Sequence, residues 1–278
     1  MIGALKHIEK VGRTCYKSED KITEDSHIRF VDMLIEHGHY AMLEHATIYL
    51  TIPLEKEGLI DIYDKNPYSR VVKPKKDTYA YITTNSRVII ENEWQCDLEY
   101  MVPAPTKHAK RITVKFTTQI AISREFNRHR VNSMAEESSR YCNYTKDKFG
   151  SEISVSLPSW VHEGNIKLCQ GSNDIQSMCE DISSNETRWW TTLEYWLFAN
   201  LATEYAYNHL IKLGWTAQQA RVVLPLDTKT ELVHTAFIDD WKHFVDLRYH
   251  GTTGKPHPDA YILGKMVYEK LKDLGYLK

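Results

Sequence analysis

The sequence predicts an α+β fold: a mixed, largely antiparallel sheet flanked by helices. Three observations predict it. Alternating runs and helical runs are interspersed without the regular βαβ rhythm of a doubly wound sheet. Two runs, 46–52 and 111–116, carry apolar residues on one face and polar residues on the other, as half-buried antiparallel strands do. The longest helical run, 186–213, holds Trp189, Leu193, Trp196, Leu197, Leu201 and Tyr205 in a broad stripe. A stripe that rich in aromatics is expected at a subunit interface.

The elements follow in order. Residues 26–40 read as a helix, because Ile28, Val31, Leu34 and Ile35 share a face, Ser26 suits the start and Gly38 the end. Ala46, Ile48, Leu50 and Ile52 then alternate with Thr47, Tyr49 and Thr51 until Pro53 closes the strand. The polar stretch 54–77, with Gly58, Pro67 and Pro74, reads as a surface excursion holding a short helix. A short strand is expected over 79–82, and Asn85 suits the cap of a helix running through Ile90. Ile112, Val114 and Phe116 mark the next strand, and 118–130 reads as a helix after it. A strand over 152–157 ends at Pro158. Gly214 sits where the long helix needs its C-terminal cap, and Thr216 opens a short helix through Val223, before Pro225. Helices over 239–249 and 257–274 close the chain, with Pro258 in a first turn.

Composition narrows the function. The chain has 278 residues, 42% apolar and 26% charged, which is ordinary globular usage. Its 35 Lys and Arg nearly balance 37 Asp and Glu, for a net charge of -2, so no general nucleic-acid binder is expected. Charges interrupt the first residues every few positions, and no run is apolar enough to span a bilayer, so a cytoplasmic protein without membrane contact is expected. The five cysteines are odd in number and include no CxxC pair, which suggests reduced thiols. Neither GxGxxG nor GxxxxGK[ST] occurs, so a bound nucleotide would not use the usual glycine-rich loops.

The segment 124–144, REFNRHRVNSMAEESSRYCNY, concentrates the chemistry. Arg124, Arg128, Arg130 and Arg140 offer planar forks of donors that match phosphate oxygens, and they repel one another unless anions neutralise them. Ser138 can add a phosphate donor, and Glu136 can accept from a sugar hydroxyl or a base N–H. Three readings stay open on residue types alone. The cluster holds one or two phosphorylated ligands, it is a solvated face paired to Glu125, Glu136 and Glu137, or it is a nucleic-acid helix.

Arg128, His129, Arg130, Ser133, Glu136, Ser138, Arg140 and Tyr141 resemble the signature RHRxxSxNExSxRY of the flavin-dependent thymidylate synthases. Ala135 stands where that pattern has Asn. GRTCYKSE near the start, GHYAMLEHATIYL at 38–50, ARVVLPL at 220–226 and FVDLR at 244–248 resemble further blocks of the family, in family order. The resemblance implies one domain over 1–278, with insertions near 142–184 and 249–257. It implies a methyltransferase that converts dUMP to dTMP. FAD is the hydride carrier, and methylenetetrahydrofolate and NADPH are co-substrates. It also implies a homotetramer whose active sites are shared between subunits. The alternative is a non-enzymatic nucleotide- or RNA-binding protein that uses the same arginines.

Residue by residue, the resemblance places Arg128, His129 and Arg130 at FAD, with Arg128 also near the nucleotide. It places Glu136, Ser138, Ser139 and Arg140 at dUMP, with Glu136 near FAD as well. Glu125 stands where some members have Gln at the nucleotide. His45 matches a histidine near the flavin ring and the folate, and Thr47 lies beside FAD. Arg221 matches an arginine of the dUMP site, and Arg248 the arginine that polarises the uracil ring. His243 falls where relatives carry His or Asn against the flavin. Phe237, Ile238 and Asp239 match the adenine end by spacing only. No protein nucleophile is needed, so Cys142 reads as a small buried residue. Ser138 lacks a GxSxG setting and reads as a binding group. His37, His39 and His45 show no metal-ligand spacing.

Overall fold

A computed structural model describes residues 2–146, 152–161 and 174–277. Cys169 and much of the expected insertion over 142–184 lie outside the described residues, as does the Trp189 side chain. The chain forms two compact units. The first comprises Met1–Phe116, Asn127–Glu136 and Glu231–Lys278, and the second Thr117–Phe126 and Glu137–Thr230.

The first unit opens with helices α1 (Ile2–Tyr16) and α2 (Ser26–Glu36). Gly38 takes φ +68°, a left-handed turn that L side chains resist, and the chain leaves α2 there. A 3₁₀ turn (Tyr40–His45) leads into β1 (Thr47–Pro53). Ile48, Leu50 and Ile52 of β1 are buried, as the alternation predicts. Helix α3 (Glu57–Asp64) and strand β2 (Arg70–Val72) occupy the polar excursion. Strand β3 (Tyr79–Asn85) runs longer than the sequence predicts and pairs antiparallel with both β1 and β2, giving the order β1-β3-β2. Asn85 caps α4 (Ser86–Glu91) by accepting a hydrogen bond from the Val88 amide at 3.1 Å.

The second sheet has the order β4-β6-β5, built from β4 (Arg111–Gln119), β5 (Ser133–Glu136) and β6 (Lys229–Phe237). In the first unit β5 pairs antiparallel with β6, Ser133 opposite Thr235 and Glu136 opposite Leu232. Neither β5 nor β6 is expected from the sequence. Helix α5 (Ile120–Phe126) stops short of the expected 130, and the chain turns through His129, whose carbonyl accepts from the Asn132 amide, to enter β5.

Apolar clusters among the described residues hold this unit together. Sheet residues Ile48, Leu50, Ala80 and Ile82 pack with Ile60 and Tyr63. Ile8, Phe30, Val31, Leu34 and Leu43 join α1, α2 and the 3₁₀ turn. Val11 meets Ala135 and Val233. Each fully buried aliphatic side chain contributes about 1.5–3 kcal/mol relative to exposure. Ala135, the one departure from the family signature, lies in the last cluster.

Helices α9 (Ile238–Arg248) and α10 (Pro258–Asp273) finish the unit, close to the predicted limits. Gly264 of α10 lies against the end of α9: a Cβ there would sit 2.8 Å from the Arg248 carbonyl carbon and 2.9 Å from its oxygen. Helix propensity alone favours Ala over Gly by about 1 kcal/mol. The contact reverses that sign, because backbone has to move. Gly264→Ala is therefore expected to destabilise the protein by about 1–3 kcal/mol, the range of an overpacked site, with a lower urea midpoint and an unchanged m-value.

The second unit holds α5, α6 (Ile175–Ser183), α7 (Thr192–Lys212) and α8 (Ala217–Ala220). The sequence predicts one helix over 186–213. The structure divides it into a 3₁₀ turn (Glu186–Trp189) and α7. Trp190 is extended, and Thr191 with Glu194 closes a capping box that restarts the helix. The expected strand over 152–157 is reduced to one bridge, Val155 to Thr228. Tyr207 of α7 packs with Cys142, Tyr144 and Ala220, and is the buried residue of that helix. No helix among the described residues is long and apolar enough to cross a membrane.

Candidate functional site

The first unit contains a cavity of about 200 Å³ lined by Tyr68, Arg70, Asn85, Arg111, Arg130, Ser133, Phe237 and Asp240 among others. Arg111 opens β4 and is half-buried. Its Nη1 donates to the Glu44 carbonyl at 3.1 Å and to Thr47 Oγ1 at 3.2 Å, and its Nη2 donates to Ser133 Oγ at 3.0 Å. Its Nε is buried with no hydrogen-bond partner among the described residues. Burial lowers its pKa to about 10, although Glu44 pulls the other way. The aromatic face of Phe237 lies 4.7 Å from the Arg70 guanidinium and 5.5 Å from that of Arg111. Three guanidiniums and one carboxylate line the cavity; the carboxylate, Asp240, lies 3.9 Å from Arg70 and its pKa is raised by burial. A positive, donor-rich cavity with a flat apolar wall fits an anionic ligand that carries an aromatic ring. A second cavity, of about 290 Å³, shares Tyr68 and Asn85 with it.

A second cluster in the same unit joins the signature to α9. Arg248 Nε donates to His129 Nε2 at 3.1 Å, which requires His129 to be neutral and protonated at Nδ1. Burial, and then the Arg248 charge, lower His129 to about 4. The exposed His243 ring lies 6.0 Å from that of His129, and Phe244 lies at 4.8 Å. Asn132 contacts His234 Nδ1 at 3.1 Å. Burial lowers His234 to about 3.

In the second unit the tail of the signature meets the start of 220–226. Arg221 Nη1 donates to Ser139 Oγ at 3.3 Å across 82 positions of sequence. Arg140 Nε donates to Gln218 Oε1 at 3.1 Å. Ser138 turns the chain, its carbonyl accepting from the amides of Tyr141 and Cys142. Both arginines are exposed, and neither forms an ion pair among the described residues. Two unneutralised guanidiniums, one of them on a hydroxyl, can grip a phosphate.

Of the residues singled out from sequence, Arg130 and Phe237 line the first cavity, and Thr47 is bonded to its Arg111. His45 is buried and bonds to Thr235 Oγ1 at 2.8 Å. Glu136 accepts from Asn127 at 3.1 Å. His129 and Arg248 meet, with His243 beside them. Arg128 and Asp239 are exposed, and neither lines the cavity; Asp240 lines it instead. Ile238 begins α9. Glu125 is half-buried in α5. Cys142 is fully buried, as its reading as a packing residue requires. Arg70, Arg111 and Tyr68 are not among the site residues expected from sequence, and Asn85 is expected there only as a helix cap. Arg111 alone left a trace there, a cation at the head of an alternating strand.

Residues 98–271 match the model of the thymidylate synthase complementing protein family. A probable flavin-dependent thymidylate synthase of Paramecium bursaria Chlorella virus 1 is 26% identical over 57% of this chain and 66% of its own length. A flavin-dependent thymidylate synthase of Synechocystis sp. is 23% identical over 78% of this chain and 86% of its own. A solved structure of the UMP/dUMP methylase PolB from Streptomyces cacaoi, bound with 5-Br dUMP, aligns with 96% of this chain and 85% of that one. Its TM-score is 0.39 and its identity 17%.

Proposed function

The chain belongs to the thymidylate synthase complementing protein family, and from that premise we propose that it is a flavin-dependent thymidylate synthase. It methylates dUMP to dTMP with methylenetetrahydrofolate as carbon donor and NADPH as reductant. The observation that carries the reading is the set of three cationic clusters built from the signature and its distant partners. We read residues 1–278 as one domain of a homotetramer with shared active sites, with α7 in an intersubunit bundle.

The donor set fits FAD. Arg70, Arg111 and Arg130 would hold its pyrophosphate, with the orphaned Arg111 Nε as one donor and Phe237 as an apolar wall. His45, Thr47, Arg128, His129, Glu136, Ile238, Asp239 and His243 are the remaining FAD candidates. When bound, FAD supplies hydride transfer. Ser138, Ser139, Arg140 and Arg221 would hold the dUMP phosphate, and Glu125, Arg128 and Glu136 are the remaining dUMP candidates. Attack on the uracil ring places negative charge on its N3 and flanking carbonyls, and Arg248 offers a fixed cation there. No thiol is needed as nucleophile. Cys142 is buried, and burial raises the Cys15 thiol to about 11, far from a reactive thiolate.

The purified protein is expected to show the visible absorption of oxidised flavin, or to acquire it with added FAD, and to oxidise NADPH in the presence of dUMP. Colourless protein that takes up no FAD would sink the reading. The rival, a nucleotide or RNA binder, predicts salt-sensitive binding without turnover. Arg111→Gln keeps an amide donor but removes the buried charge. FAD is expected to bind it about thirtyfold more weakly, the equivalent of roughly 2 kcal/mol for a truncated buried charge contact, as read by flavin fluorescence titration.

A further inference from the structure

Four side chains of the first unit form an unbroken hydrogen-bonded line. His7 Nε2 of α1 lies 3.1 Å from Thr113 Oγ1 of β4. Thr113 Oγ1 lies 2.7 Å from Thr235 Oγ1 of β6. Thr235 Oγ1 lies 2.8 Å from His45 Nδ1 at the end of the 3₁₀ turn. His45 and Thr235 are each 1% exposed, while His7 and Thr113 are half-buried. The far nitrogen of His45, Nε2, is buried and has no hydrogen-bond partner among the described residues.

We propose that Thr113 and Thr235 are a proton relay between His7 and His45, which lets the buried histidine exchange a proton with a ligand at Nε2. The proposal rests on the reading of His45 as a residue beside the flavin and folate. A hydroxyl has one proton to donate, so two hydroxyls in series between two imidazoles must point the same way. Two arrangements result. In the first, both point toward His45, Nδ1 accepts, and Nε2 carries the proton. In the second, both point toward His7, and Nε2 of His45 is bare.

One concerted shift converts the first into the second. His7, protonated on both nitrogens by water at Nδ1, passes its Nε2 proton to Thr113. The proton of Thr113 moves to Thr235, that of Thr235 moves to His45 Nδ1, and the Nε2 proton of His45 leaves to a basic atom of the ligand. One proton has entered at His7 and one has left at His45. The reverse step, in which His45 takes a proton at Nε2, restores the first arrangement. Burial, followed by the Arg111 charge, lowers His45 to about 3, so the ring does not store a net charge. A proton given up at one nitrogen has to be matched at the other, and the line supplies that match. His7 is held below the usual histidine range by burial and then by Lys10, and at its half-buried position it releases its proton readily.

Thr113→Val tests the relay, because it cuts the line between the hydroxyls while leaving Thr235 on His45. In ligand-free protein labelled with ¹⁵N-histidine, where a transiently admitted water takes the ligand's place at Nε2, exchange of the His45 ring proton with solvent is expected to slow by about tenfold, roughly the worth of one lost hydrogen bond. Thr113→Ser is expected to restore it. His7→Gln, at the half-buried end, is expected to slow exchange similarly should Thr113→Val fold poorly. Unchanged exchange in the folded variants, or no rescue by Ser, overturns the relay whether or not the protein binds flavin. Wild-type protein with the expected exchange but no uptake of FAD or dUMP overturns the functional reading instead. In active enzyme, a lower kcat for Thr113→Val at unchanged KM for dUMP supports the relay in turnover. A wild-type kcat removes it from the reaction.

Discussion

Arg248→Ala is expected to lower the rate of dTMP formation by about 10²–10³-fold, some 3–4 kcal/mol of transition-state stabilisation, while leaving FAD bound. The size follows from how firmly the cation is held. Its Nε is tied to a neutral His129 at 3.1 Å, and its backbone is abutted by Gly264, where even a methyl group would lie 2.8 Å away. A preorganised charge needs no reorganisation as the uracil ring becomes anionic, so removing it costs the full stabilisation. Arg248→Lys keeps the charge but loses the planar fork and the Nε donor, and is expected to recover only part of the rate. Single-turnover rates with dUMP, methylenetetrahydrofolate and NADPH, beside a visible spectrum of each variant, make the comparison. An alanine variant that turns over normally removes Arg248 from the mechanism. One that loses both flavin and turnover assigns it to the FAD site.

The legibility of the sequence depends on which face of each element meets water. Strand β1 has one solvated face, so Ile48, Leu50 and Ile52 stand out against Thr47, Tyr49 and Thr51. Strand β6 sits in the middle of its sheet and is buried along most of its length, including Thr230, His234 and Thr235. Buried polar residues erase the alternation, so the strand leaves no pattern to read. The same burial conceals its chemistry: His234 and Thr235 matter through partners that lie far away in sequence. The signature at 128–141 was legible because its cations are crowded. Arg70 and Arg111 were not, because single arginines in a chain with 35 Lys and Arg become a site only when β2 and β4 are folded. The short β5 lies inside the signature itself, just past the run 118–130 that reads as a helix, and four residues are too few to show an alternation. The break at Trp190–Thr191 left a sign, Thr191 followed three residues later by Glu194, which the aromatic stripe overrode.

Acid is expected to unfold the ligand-free protein with a midpoint between about pH 4 and 5, because three buried histidines must stay neutral for the fold to stand. Burial is the main cause in each case. It takes His45 and His234 to about 3 and, with Arg248 adding to it, His129 to about 4. For a base whose pKa is depressed by folding, the unfolded chain binds more protons once the pH drops below about 6.5. The stability these groups contribute is therefore fully present above that pH and is lost as the pH falls toward the folded values. Each histidine removes up to about 1.4 kcal/mol per pH unit in that window, so all three remove roughly 5 kcal/mol between pH 6.5 and 5. That is comparable to the whole stability of a typical domain, about 5–15 kcal/mol. Tryptophan fluorescence and far-ultraviolet circular dichroism against pH would record the transition. His234→Gln removes one of the three titrations while keeping an acceptor for Asn132, and is expected to lower the acid midpoint and reduce the proton uptake on unfolding by one. A wild-type protein that stays folded at pH 4, with these three histidines protonated by NMR, would show that their rings are hydrated in solution. The neutral His129 that holds Arg248 would then be lost from the mechanism as well.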